Sequence, residues 1–343
     1  MSGQDVVVEG LGPLSERTFL DSVAGDFRAA PGVLAPPGVI FSAGAAVAAR
    51  TLAPAAGWVR CRPTGTVATG SLFAGAGEID PEQVTEVREF DARERELGAV
   101  AGVPLRVAAA WVFSVEHWSD LLWANLLALG PFLWSRVATP WALGWAVATR
   151  LSLKPESLAG ALVARSGAHV HPAATVEFSL LSPGARVGAG AVVRGSVLGP
   201  GAVVEELAMV EGCVLGAGAR IQRQAMAKFS VVEHEAAHAG VVQLGVVGRG
   251  AQVRQGAVLF DQSLGAPVRV RRGGRLVEAP HGMIGVCVGP GAMVGQGVRV
   301  AAGRAIPPGL TVLPDPRGVL YRVEVPDGCH RSRVVDGGLE PLE

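Results

Sequence analysis

Between Leu181 and Val231 the chain repeats itself three times at a spacing of 17 residues: LSPGARVGAGAVVRGSV, LGPGAVVEELAMVEGCV, LGAGARIQRQAMAKFSV. Each segment opens on Leu, two small or turn-forming residues, Gly and Ala, as in Leu181, Gly184 and Ala185 or Leu198, Gly201 and Ala202. Aliphatic residues recur in steps of six, six and five, at Leu181, Val187, Val193 and Leu198. A helix repeats at about 3.6 residues and a half-buried strand at about two, so neither explains the pattern. Steps near six suit a parallel β-helix: each step makes one short strand and one corner, and three steps make a coil with the aliphatic residues inward. One coil cannot bury those residues, whereas a stack of coils buries a column of them.

The pattern extends upstream to Val170 and Val176. Downstream it continues at Val247, Val253 and Leu259, and after a gap at Val288, Val294, Val300, Ile306 and Val312. Residues 168 to 313 are therefore the expected coil. The 47 glycines have no strict three-residue period, which excludes a collagen-like chain. The whole chain is expected to be mainly β. A small α/β domain (1–104) and an apolar helical linker (105–167) precede the coil, and a tail with one strand (314–343) follows it.

The 30 basic residues balance the 30 acidic ones, which argues against nucleic acid as a partner. Four scattered cysteines, Cys61, Cys213, Cys287 and Cys329, show no metal-type pairing and fit a reducing cytoplasm. The opening MSGQDVVVEG lacks the basic and apolar stretches of a secretion signal. In the first domain, strands are expected near residues 5–9, 38–42, 58–62 and 66–73. Helices are expected over 14–24, from 43 to Leu52, and from Asp80-Pro81-Glu82 to Gly98, with Asp80 as cap. Gly10 and Gly12 before Arg17 lack phosphate-loop spacing and read as an ordinary turn.

Residues 114 to 150 are the most apolar stretch. Ser114 is a candidate cap for a helix carrying Trp118, Leu121, Leu122 and Trp123 and ending at Gly130-Pro131. A second piece, broken at Pro140, carries Trp134, Trp141 and Trp145. A membrane-surface element would show interfacial Trp of this kind, but the polar face lacks the Lys and Arg that anionic lipid attracts. Burial against the coil and neighbouring subunits is the expectation.

The segment VEHWSDLLWANLLALG, placed directly before a hexapeptide coil, resembles the linker helix of sugar-1-phosphate nucleotidylyltransferases. The coil resembles the acetyltransferase half of the bifunctional N-acetylglucosamine-1-phosphate uridylyltransferase. The resemblance implies a left-handed coil, a homotrimer, and acetyl-CoA or another acyl-CoA as co-substrate, with no metal. The nucleotidyl-transfer loop of the first family is absent, so residues 1–104 look like a reduced remnant of that half.

Two irregular stretches could carry chemistry. One is HEAAHAG after Glu233; the other, from Leu264 to Gly282, is rich in arginine (Arg269, Arg271, Arg272, Arg275). Insertions in a solenoid often build its binding face. The resemblance implies that His238 is a general base taking a proton from an acceptor amine, a role suited to imidazole. It also implies that Lys228, Asp261 and Gln262 meet the acceptor, a sugar phosphate or nucleotide sugar. Arg271, in the arginine-rich insertion, is a candidate for binding phosphate, and His281 is a second substrate-binding candidate because it sits between that insertion and the resumed coil. Ala302, Gly303 and Arg304 then receive the coenzyme. Val241 and Val246 stand where that family has Tyr and Asp, and Asp261 where it has Asn. His234 and His238 could form a zinc pair, but no third His lies at a matching distance. The alternative function is a non-catalytic trimeric scaffold or nucleotide-sugar-binding protein.

Overall fold

The computed structural model describes residues 6–14, 33–36, 39–64, 71–76, 79–100, 103–108, 110–137, 162–263, 265–279, 282–318, 320, 322–323, 332–336 and 338–341. The coil dominates. Its strands form three parallel sheets. The first, eight-stranded, runs from Val163–Arg165 to Ala305–Ile306. The second, also eight-stranded, runs from His169–Val170 to Thr311–Val312. The third, seven-stranded, runs from Thr175–Glu177 to Arg299–Val300.

The register turns the six-step pattern into three internal columns. Leu181, Leu198, Leu215 and Val232 stack in the first sheet. Val187, Val204 and Ile221 stack in the second, and Val193, Val210 and Ala227 in the third. All are buried in one apolar cluster. The corners need polar satisfaction, and a stacked hydroxyl series supplies it. Ser179 Oγ–H donates to the Glu177 carbonyl (2.7 Å) and Oγ accepts from Ser196 N–H (3.1 Å). Ser196 repeats both bonds with Arg194 and Cys213, and Ser230 with Lys228 and Gly245.

An ionic series runs up the third sheet, one rung per coil: Glu177, Arg194, Glu211, Lys228. Arg194 bridges Glu177 (2.8 Å) and Glu211 (3.2 Å), and Lys228 meets Glu211 at 2.8 Å.

The stretch around HEAAHAG corrects the sequence reading. It is a coil of the stack, not an inserted loop. Ile221 to Ala227 spans six residues, but His238 to Val242 above them spans four, so this coil is two residues short at one corner. Gly240 makes the short corner possible, because any Cβ there would collide with the Ala257 carbonyl oxygen. His238 consequently points inward, between Ile221 and Val253, and is 0% exposed. Its Nε2–H donates to the Met226 carbonyl (3.2 Å), while Nδ1 is buried with no hydrogen-bond partner. Burial pushes its pKa down to about 4.

The second irregular stretch is a true insertion. It is an antiparallel hairpin, Arg269–Arg272 paired with Arg275–Glu278.

Ahead of the coil, Val33–Leu34, Leu72–Ala76, Gly57–Thr64 and Val87–Asp91 form a four-stranded sheet. It packs with the helix Ala43–Thr51, which Ser42 caps through Ala45 N–H (3.1 Å). The helix expected from Asp80 to Gly98 is absent. Asp80 does accept Glu82 N–H (3.1 Å), but only to close a turn. The following residues pair with Gly57–Thr64, and Glu94–Val100 then pairs with Val103–Ala108; sheet pairing overrides the capping signal. The strand expected at 66–73 holds from Leu72, and residues 66–70 lie outside the described residues; of the helix expected over 14–24, Leu14 ends the strand Gly12–Leu14 instead and the rest lies outside the described residues.

The long helix is Trp118–Val137. Ser114 ends the strand Val112–Ser114 rather than capping it. Pro131 lies inside the helix rather than beyond its end, since Leu133 and Val137 carry its buried stripe onward. Among the described residues no helix is long and apolar enough to cross a membrane. The helix covers the outward column of the first sheet, Val197, Val214, Val231 and Val246. Trp141 and Trp145 lie outside the described residues. The tail carries two paired strands, Ser332–Val335 and Gly338–Pro341, rather than one.

Two outcomes follow. Leu198→Asp buries an unpaired carboxylate in the column and should cost at least about 3 kcal/mol, read from denaturant midpoints. His238→Val should remove an acid-sensitive stability limb. The unfolded imidazole titrates near 6.5 and the folded one near 4, so the unfolded state binds the extra proton between them. The wild type therefore loses stability as pH falls through that window, on the order of 3 kcal/mol in all. Glu233, raised by burial to about 6, has the opposite slope, its contribution falling as pH rises from about 4.5 to about 6. It is common to both proteins, so their difference between pH 7 and pH 4 isolates His238.

Candidate functional site

The hairpin stands beside the coil and leaves a cleft of about 460 Å³. Gln262 and Ser263 line it where the coil exits, Arg269 and Leu276 from the hairpin, and Ala302 and Arg304 from the corner at 301–304. Gly303, at φ +74°, lies against the hairpin: a Cβ there would strike the Arg269 carbonyl oxygen and the Val268 side chain. Arg304 Nη1–H donates to that same Arg269 carbonyl (3.2 Å).

The outer end of the hairpin is anchored. Arg272 forms a two-pronged ion pair with Asp120, both contacts at 2.9 Å, and approaches Glu116 at 3.7 Å. Gly273 N–H donates to Glu9 (2.9 Å). Asp120 is itself part of the helix cap. Its carboxylate accepts the N–H groups of His117 (3.0 Å) and Glu116 (3.2 Å), while His117 Nδ1 accepts Ser119 N–H (3.2 Å). Asp120, at the third helical position, reaches back to the cap's own N–H, while the His117 ring takes a first-turn N–H in the role that Ser or Thr usually fills. Burial pushes the Asp120 pKa up, against the pull of the Arg272 guanidinium. Nothing in the sequence pairs Asp120 with Arg272, which are 152 residues apart.

The predicted site residues divide. Gln262, Ala302 and Arg304 come together in the cleft, with Gly303 setting the approach of its hairpin side. Asp261 lies between two lining residues. Its carboxyl is raised by burial and its Oδ2 is buried without a hydrogen-bond partner. Arg271 is exposed on the hairpin and does not line the cleft. Lys228 is engaged by Glu211, and His238 is sealed in its column. Sheet position explains both: His238 takes an inward place and Lys228 an outward one in the ionic series, and a motif match in sequence does not say which face of a strand a residue occupies. His281 lies outside the described residues. No group of three or more potential metal ligands occurs among the described residues. A larger depression of about 740 Å³ lies on the second sheet around His169, Arg186, Glu205 and Glu206. Its two glutamates are already engaged by Arg220 (2.9 Å) and Arg223 (2.8 Å).

Residues 167–248 match the family model described as GlmU-like, C-terminal hexapeptide. No curated protein matches the chain. Among solved structures, the chain is similar to a hexapeptide transferase family protein from Anaplasma phagocytophilum. Identity is 15%, the alignment covers 45% of this chain and 75% of that one, and the TM-score is 0.24. It is also similar to the acetyltransferase domain of PglB from Neisseria gonorrhoeae in complex with acetyl coenzyme A, at 20% identity, 68% and 86% coverage and TM-score 0.21. A mutant GDP-perosamine N-acetyl transferase from Caulobacter crescentus, in complex with CoA and GDP-perosamine, aligns at 18% identity, 67% and 83% coverage and TM-score 0.20. Superpositions this loose say nothing of substrate. The 17-residue register and the three parallel sheets make the chain a parallel β-helix of hexapeptide repeats, and residues 167–248 of that coil carry the match to the GlmU-like hexapeptide family model.

Proposed function

We propose that the chain is an acyl-CoA-dependent acyltransferase whose donor site is the hairpin cleft and whose acceptor is an amine on a sugar phosphate or nucleotide sugar. The observation that carries this reading is the meeting, in one cleft, of Gln262 with Ala302 and Arg304 beside the Arg269 guanidinium. Two guanidinium groups at its edge suit the phosphates of a coenzyme. In the reaction the acceptor nitrogen adds to the thioester carbonyl and the carbon–sulfur bond breaks. The amide remains on the acceptor, and CoA leaves as a thiol with the proton that the amine gives up.

The sealed His238 does not meet an acceptor unless the coil opens, and Lys228 is already paired. These two facts favour the second reading, a scaffold or nucleotide-sugar-binding protein without turnover. Both readings expect a homotrimer. The third sheet supports one: its outward column Val192, Met209, Met226, Val241 and Val258 stays partly exposed, while the long helix covers that of the first sheet. Leu207 and Phe229, exposed at 62% and 47%, flank it at corners with positive φ.

Calorimetry with CoA, followed by product detection with acetyl-CoA and a panel of amino sugars, separates the readings. CoA should bind, and Arg269→Ala and Arg304→Ala should each weaken it by about 3- to 10-fold, since charge-assisted contacts at an exposed rim are modest. CoA binding without turnover of any amine leaves the scaffold. Light scattering at micromolar concentration should return three times the chain mass; a monomer would remove the covered-face argument.

A further inference from the structure

The cleft offers more apolar surface than a two-carbon acyl group can cover. Phe260 and Leu276, 45% and 57% exposed, both line it, one from the coil and one from the hairpin. Pro267, Val268, Ala301 and Ala302 add to the apolar lining. Exposed aromatic and aliphatic side chains facing one space normally close on each other. Here the hairpin is tied at its far end by the Arg272–Asp120 pair and at its near end by the Gly303 contact and the Arg304 bond. Both side chains stay exposed, so a ligand is needed to remove them from water.

We infer that the cleft takes a donor whose acyl chain has several methylenes beyond acetyl. The chain lies along Phe260 and Leu276, and the coenzyme phosphates meet Arg269 and Arg304. This rests on the acyltransferase reading above. A second copy of the chain covering the same side chains is the competing explanation, and it predicts no dependence on acyl length.

The test titrates the full chain with CoA and with its acetyl, butanoyl, hexanoyl and octanoyl thioesters by calorimetry. Each methylene removed from water is worth about fourfold in affinity. The dissociation constant should therefore fall steeply from acetyl to hexanoyl and level off once the cleft is full. The double variant Phe260→Ser, Leu276→Ser changes two exposed positions; it should keep the wild-type melting temperature while flattening the ratio of affinities across the series. Equal affinity for the acetyl and octanoyl thioesters overturns the inference and leaves the acyltransferase reading standing. A series that survives in the double variant overturns it too. If CoA itself fails to bind, the acyltransferase reading falls, and sodium octanoate decides the cleft. Saturable binding lost in the double variant keeps an apolar-chain site, and no binding removes it.

Discussion

Each buried aliphatic residue of the coil depends on the coil above and the coil below. A 17-residue turn of chain encloses too little space to shield its own Leu and two Val, and its backbone groups point along the stack, not within the turn. The N–H of one coil meets the carbonyl of the next at every strand, so the register is held coil by coil. The columns, the corner hydroxyls and the ionic series all follow from that register. So does the difference between the faces: the long helix covers the outward valines of the first sheet, while the third keeps its own partly exposed.

The repeat was legible because it obeys a period that no other regular structure shares. Leu181, Val187 and Val193 point inward as their spacing demands. Departures from the period were harder to read. HEAAHAG looked like an insertion because its aliphatic step is missing, yet it lacks residues rather than adding them, and an imidazole fills the aliphatic place of His238. A sequence shows that a period has failed without showing in which direction. The mixed-sign charged run after Asp80 had a proper helix start, but pairing with residues 60–64 upstream and with the adjacent strand Val103–Ala108 decided its fate. In the cleft, Gln262, Ala302 and Arg304 could be named from the motif. The Asp120–Arg272 pair that holds its outer wall could not, since neither residue has any local signal for the other.

The hairpin interrupts the stack at a corner, where the first and third sheets tolerate extra chain without losing a strand. Coil strands on either side of it still pair, Val247 with Val288 and Leu259 with Val300. The insertion is thus carried by a stack that does not need it. Its outer end is set instead from outside, through the helix cap. That arrangement couples the cleft to the segment preceding the coil: the same carboxylate that closes the first turn of the helix receives the hairpin's guanidinium.

The alternating Glu177, Arg194, Glu211 and Lys228 gives the stack a parity. Excising the coil that bears Arg194 would set Glu177 directly beneath Glu211, and excising the coil that bears Glu211 would set Arg194 beneath Lys228. Either junction places like charges on adjacent strands, about 4.8 Å apart. Removing two neighbouring coils from this region restores opposite charges at the join. Length in this part of the molecule is therefore counted in pairs of coils, although every other feature of the repeat would allow it to grow or shrink by one.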